Sequence, residues 1–166
     1  MTMKKFVTLI LVLVMMSAAA LADSAVLLVE LPQDAQMIED IRFDDGDFIQ
    51  TYQAGGMTVQ LLRYASFDMT IDELIGSEWT GAANVTALAL DQIGGYPASG
   101  VQLSCVQEGQ GALDVTLVRV DTGDGVLVFE AVAAQGDAGA AQTVEAMLAS
   151  MSVLADDAPA AEDEVG

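Results

Sequence analysis

The chain has 166 residues, with 25 acidic and 5 basic side chains, no histidine, one cysteine and a formal charge of −20. That charge repels phosphate backbones and argues against nucleic-acid binding. The missing histidine removes imidazole acid–base chemistry and metal ligation, and a lone cysteine removes an internal disulfide and a thiolate zinc site.

Residues 1–22 (MTMKKFVTLILVLVMMSAAALA) carry a basic pair, Lys4 and Lys5, then an apolar run, then Ala20-Leu21-Ala22. This is the pattern of a signal peptide cleaved after Ala22, which places the mature protein outside the cytoplasm, secreted or extracytoplasmic. Only an uncleaved segment would contact the membrane. Removal of residues 1–22 takes both lysines and leaves Arg42, Arg63 and Arg119 against all 25 acids. Residues 23–154 are expected to form a single domain, and 155–166 a disordered acidic tail.

Residues 25–31 read as a buried strand ended by Pro32. Runs 38–43 and 48–53 flank Asp44-Asp45-Gly46-Asp47, a hairpin signal. Gly55-Gly56 makes the next turn, and Met57, Val59 and Leu61 then share one strand face. Thr70-Ile71-Asp72-Glu73 is a capping box, with Met69 and Leu74 placed as a hydrophobic staple and Ile71, Leu74 and Ile75 on one helix face. Strands are expected at 85–91, 101–107, 113–120 and 126–133, with Val101, Leu103 and Cys105 in phase. The last two strands are apolar on both faces, which marks them as central. Asp137 caps a second helix over about 138–153, with Ala140, Val144, Met147, Leu148 and Met151 as its apolar stripe. The fold class is therefore α+β: a mainly antiparallel sheet of about six to seven strands with two helices packed on it.

This order resembles the PsbP-like sandwich superfamily of small exported proteins. The residues that carry the resemblance are Thr70 to Trp79, the strand end Ile93-Gly94-Gly95-Tyr96-Pro97-Ala98, the strand pair around Asp121–Gly125, and the closing Met147-Leu148-Ala149-Ser150-Met151. The resemblance covers most of residues 25–154 and implies a fold and export, but no activity and no functional residue. The lipid-attachment cysteine frequent in that group is missing here.

Val120-Asp121-Thr122-Gly123 contains the D-T-G triplet of aspartic proteases, but one copy supplies one carboxylate, and Asp-Gly steps between alternating strands are ordinary turns. The acidic turns Asp44–Asp47 and Asp121–Asp124 lack the spacing of a dedicated Ca²⁺ loop. Weak divalent-cation binding remains an alternative for them, so the metal site is left unassigned. Cys105 has no histidine or lysine to activate it in the mature chain and reads as a buried, inert thiol. Asn84-Val85-Thr86 matches a glycosylation sequon.

Trp79 and Tyr96 are the candidate ligand-pocket residues. No catalytic residue and no cofactor is assigned. The expected function is a non-enzymatic binding or envelope-associated protein, whose partner is an unidentified protein or small-molecule ligand outside the cytoplasm. The alternative is a carboxylate-dependent hydrolase, which requires two acids that converge and at least one with a raised pKa.

Overall fold

The computed structural model describes residues 25–65 and 68–154; the expected signal segment and acidic tail lie outside them. Ten strands and two helices follow in the order β1 (Val26–Leu28), β2 (Gln36–Arg42), β3 (Phe48–Ala54), β4 (Met57–Tyr64), α1 (Ile71–Glu78), β5 (Ala83–Ala87), β6 (Gln92–Ile93), β7 (Tyr96–Gln107), β8 (Gly111–Asp121), β9 (Val126–Ala134), α2 (Ala138–Ser150) and β10 (Ser152–Leu154). Strands β2-β3-β4-β9-β8-β7-β5 form one antiparallel sheet, with β6 added to β7, and β1 pairs with β10. The chain is an α+β protein with an open sheet.

The central strands of the sheet are buried on both faces, each face under a different helix. On one face, Met57, Val59 and Leu61 of β4, Val118 and Val120 of β8, and Leu127, Phe129 and Ala131 of β9 pack with Ala140, Val144 and Met147 of α2 and with the β1 segment. Phe129 is fully buried, and a side chain of that size contributes about 1.5–3 kcal/mol. On the other face, α1 covers two smaller clusters. Trp79 packs with Val101, Leu103, Cys105, Leu113, Val115 and Leu117, while Leu74 packs with Val126 and Val128, and Met69 joins them.

Both helix starts follow from their caps. Thr70 Oγ1 accepts the Glu73 amide while the Glu73 carboxylate accepts the Thr70 amide, a closed capping box. The Thr70 amide and the Thr70 hydroxyl both donate to the Glu73 carboxylate and hold its pKa below the ordinary carboxylate value. Arg119 Nε donates to the Met69 carbonyl at 2.8 Å and pins the residue before the cap to β8. Asp137 Oδ1 accepts the Ala140 amide at 3.0 Å and starts α2.

Several boundaries differ from the sequence reading. The expected strand 85–91 is shifted and shortened to β5, Ala83–Ala87, and beyond it Gln92–Ile93 forms a short strand folded onto Pro97 and Tyr96 of β7. The second helix stops at Ser150, because Met151 is extended and residues 152–154 leave to pair with β1. Ser150 marks that exit, donating to the Met147 carbonyl at 2.7 Å and accepting the Glu30 amide at 2.9 Å.

The caps make a direct prediction. Thr70→Ala and Asp137→Ala should each lower unfolding stability by about 1 kcal/mol in urea melts, with m unchanged.

Candidate functional site

Three places gather polar groups on this sheet. The first lies beneath α1. Glu130 points from the middle of β9 into the α1 face and is 8% exposed, and Trp79 Nε1 donates to its Oε2 at 3.3 Å. Burial pushes the Glu130 pKa up to about 7; the nearby Glu78 charge raises it further, and the Trp79 hydrogen bond opposes the rise. Burial also raises the Glu78 pKa. Burial raises the Tyr64 phenol as well, with contributions from Glu78, Glu130 and Asp47.

The second place joins both acidic turns. Arg63 continues the inward phase of Met57, Val59 and Leu61, so its side chain is only 5% exposed. Its Nη1 stands 3.5 Å from Asp47 of the β2–β3 turn and its Nη2 3.8 Å from Asp124 of the β8–β9 turn. Nη1 closes no hydrogen bond there, so the contact is ionic. Gly125 lies so near β4 that an added Cβ would come within 2.8 Å of the Tyr64 carbonyl oxygen. One guanidinium thus occupies the junction of the two turns weighed as cation sites. Among the described residues, no group of three or more acidic or cysteine side chains is placed to hold a metal ion.

Within the second turn, Asp121 Oδ1 accepts the Gly123 amide at 2.9 Å and Thr122 Oγ1 donates to Asp124 Oδ1 at 2.6 Å. Asp121 also lies 3.9 Å from Arg119. The D-T-G triplet is therefore engaged in its own turn. Cys105 is buried, with Sγ 3.6 Å from the Thr80 carbonyl oxygen.

The third place is a groove of about 320 Å³ on the α2 face. The helix covers β4, β9 and the far half of β8, and its N-terminal half borders an open floor made by β5, β7 and β8. Gln102, Ser104, Asp114 and Thr116 pave that floor, Asn84 and Thr86 edge it, and Ala140, Ala141 and Val144 form the helix wall. Ser104 Oγ donates to the Ala83 carbonyl at 3.2 Å and accepts from Asn84 Nδ2 at 2.9 Å. Asp137 caps α2, and Asp114 Oδ2 accepts the Gly136 amide at 2.9 Å. The wall is apolar, and the floor offers the neutral hydrogen-bonding groups of Gln102, Ser104 and Thr116 beside the Asp114 carboxylate. No cation lines the groove, and both carboxylates at its end disfavour an anion.

Trp79 and Tyr96 do not meet. Trp79 is buried in the cluster beneath α1, and Tyr96 is half-buried against the cluster beneath α2. Neither lines the groove. Glu130, Arg63 and the groove floor were not singled out by the sequence reading. The available signals were a lone acid inside the apolar strand 126–133, an arginine in phase with three buried apolar residues, and the alternate polar residues Gln102 and Ser104.

The sequence matches no protein-family model and no curated protein. Among solved structures, the chain is similar to LpqN of Mycobacterium tuberculosis, a protein involved in cell envelope biogenesis. The identity is 12%, the match covers 79% of this chain and 84% of LpqN, and the TM-score is 0.46. It is also similar to PA94 of Pseudomonas aeruginosa, a protein of unknown function, at 14% identity over 66% of this chain and 91% of that one, with a TM-score of 0.42.

Glu130 makes the pH dependence of stability predictable. Its folded pKa, about 7, lies above the ordinary value of 4.5. Between those values the unfolded chain is ionised while the folded chain keeps its proton, so stability falls as pH rises and the loss is complete above about 7. The full effect is about 3 kcal/mol. Glu130→Gln keeps an acceptor for Trp79 and should flatten the decline between pH 5 and pH 7 in denaturant titrations, leaving the variant more stable than the parent at pH 8.

Proposed function

We propose that the mature chain is a non-enzymatic binding domain that works outside the cytoplasm, at the cell envelope or beyond it, and takes an uncharged ligand in the groove beside α2. The observation that carries this reading is the groove itself, an apolar helix wall facing the neutral donors and acceptors of Gln102, Ser104 and Thr116, with the Asp114 carboxylate accepting the Gly136 amide at its end. Sites of this build hold a ligand by its apolar face and orient it by a few hydrogen bonds. The ligand class that fits is a small amphiphile with hydroxyl or amide groups along one edge. Export rests on the signal pattern of residues 1–22, and the PsbP-like resemblance is kept at the level of fold.

Octyl glucoside below its micellar concentration is a suitable probe. Titrated into the isotopically labelled chain, it should shift the amides of Gln102, Ser104 and Thr116 saturably. Ala141 is exposed on the groove wall, so Ala141→Trp should fill the space, abolish those shifts and leave the melting temperature within a few degrees. Shifts that fail to saturate, or that fall elsewhere, would remove the proposal. Recovery of the protein from its host envelope with Asp23 as the first residue would meet the export half.

Glu78 and Glu130 favour a second reading, the carboxylate-dependent hydrolase, because each has a raised pKa and the charge of Glu78 acts on Glu130. It requires that Glu130→Gln abolish a measurable hydrolysis while octyl glucoside binding persists.

A further inference from the structure

The outer strand β2 is the longer and more open edge of the sheet. All seven of its residues are exposed, and among the described residues only β3 pairs with it. Four large apolar side chains along it or just beyond it stand open to solvent: Met37, Ile38, Ile41 and Phe43, at 43, 59, 38 and 51% exposure. The opposite edge is protected by different means. β5 has five residues, a register shift between Ala83 and Thr86, and Asn84 at φ 53°. Such irregularity is a means of blocking strand addition, whereas β2 has one shift, between Met37 and Glu39, and is regular from Glu39 onward.

The backbone of β2 is ready for a further strand. Phe43 donates its amide to Asp47 across the hairpin, and Arg42 stands opposite Phe48 and Asp40 opposite Gln50. In an antiparallel ladder the inward and outward amides alternate. The amides and carbonyls of Arg42 and Asp40 therefore point away from β3, toward solvent. The regular stretch from Glu39 to Phe43, at about 3.4 Å per residue, gives an edge of about 17 Å.

Charge decides what fits there. Glu39 and Asp40 lie on the strand, and Asp44 and Asp45 follow it directly. The one cation, Arg42, is already spent: its Nε and Nη2 donate to Asp40 at 3.1 and 3.2 Å, and its guanidinium carbon sits 5.8 Å from the Phe48 ring centroid. A second copy would bring another formal charge of −20 against the same edge. A basic segment gains from that field, and its alternate apolar side chains would cover Ile41 and Phe43.

We infer that β2 is a docking edge for an extended, basic segment of a partner protein, which adds to the sheet as an antiparallel strand beside Asp40 and Arg42. This is β-strand addition, in which main-chain hydrogen bonds give affinity and side-chain charge gives selectivity. The surface is separate from the groove beside α2 and its use does not depend on a ligand there.

The test uses the mature chain and a fluorescent nine-residue peptide of alternating lysine and valine. Four controls accompany it: a glutamate–valine peptide, the lysine–valine peptide N-methylated at alternate amides, the Asp40→Pro variant, which removes one outward amide together with the Asp40 carboxylate, and Asp40→Asn, which removes the charge alone. We expect saturable one-to-one binding of the basic peptide, slowed amide exchange at Asp40 and Arg42, and no binding of the acidic peptide. N-methylation and Asp40→Pro should each weaken binding at least tenfold, Asp40→Pro more than Asp40→Asn. Equal affinity of the N-methylated peptide would overturn the inference, because charge alone would then account for binding. Exchange protection away from residues 36–43 would overturn it too, as would sedimentation showing that the chain pairs with itself through β2. The N-methylated peptide keeps the test decisive if Asp40→Pro fails to fold.

Discussion

Two short helices cannot cover both faces of this sheet, and most of the molecule's features descend from that shortage. Helix α1 has eight residues and α2 thirteen, or about 12 and 20 Å of length. Seven strands side by side span about 29 Å. The helices are therefore spent on the centre. β9, β8 and β4 receive cover on both faces, and the margins do not. The groove is the part of the α2 face that the helix leaves open, and β2 is the margin farthest from either helix's main contacts.

The same shortage sets the electrostatics. A chain with so many acids and three arginines outside residues 1–22 must keep carboxylates in water, and two of the three cations stand where water is scarce. Arg63 lies beneath two turns, Arg119 holds the approach to α1, and Arg42 is paired with Asp40. Glu130 is the exception among the acids. It sits on the central strand where an apolar residue would suit the face, and burial answers by raising its pKa rather than by supplying a cation. The Trp79 indole gives it a partner at the cost of fixing the end of α1 over β9.

Local chemistry was legible in the sequence and long-range convergence was not. The capping box at Thr70 and the Asp137 cap are encoded within four residues, so they read directly. The central place of β8 and β9 followed from apolar residues on both faces. β10 escaped notice because Ser152–Leu154 follows the helix without a glycine or proline, and only β1, more than a hundred residues earlier, makes it a strand. β7 runs back to Tyr96 through Pro97, a residue that ordinarily argues against a strand interior but is tolerated near a strand start. The meeting of Asp47 and Asp124 on Arg63 is tertiary, since two turns far apart in sequence are brought together by β4 pairing with β9. Trp79 and Tyr96 read as lining one pocket, but the sheet lies between their clusters.

The small ribbon of β1 and β10 has a mechanical consequence. Val26 stands opposite Leu154, and the strands run antiparallel through Leu28 opposite Ser152. Tension applied at the two outer ends of that ribbon opens it like a zipper, one rung at a time, instead of loading all its rungs together in shear. Such a clasp yields at low force and lets go before the eight-stranded body feels the pull, so a tether on either side would strain the ribbon first and spare the sheet.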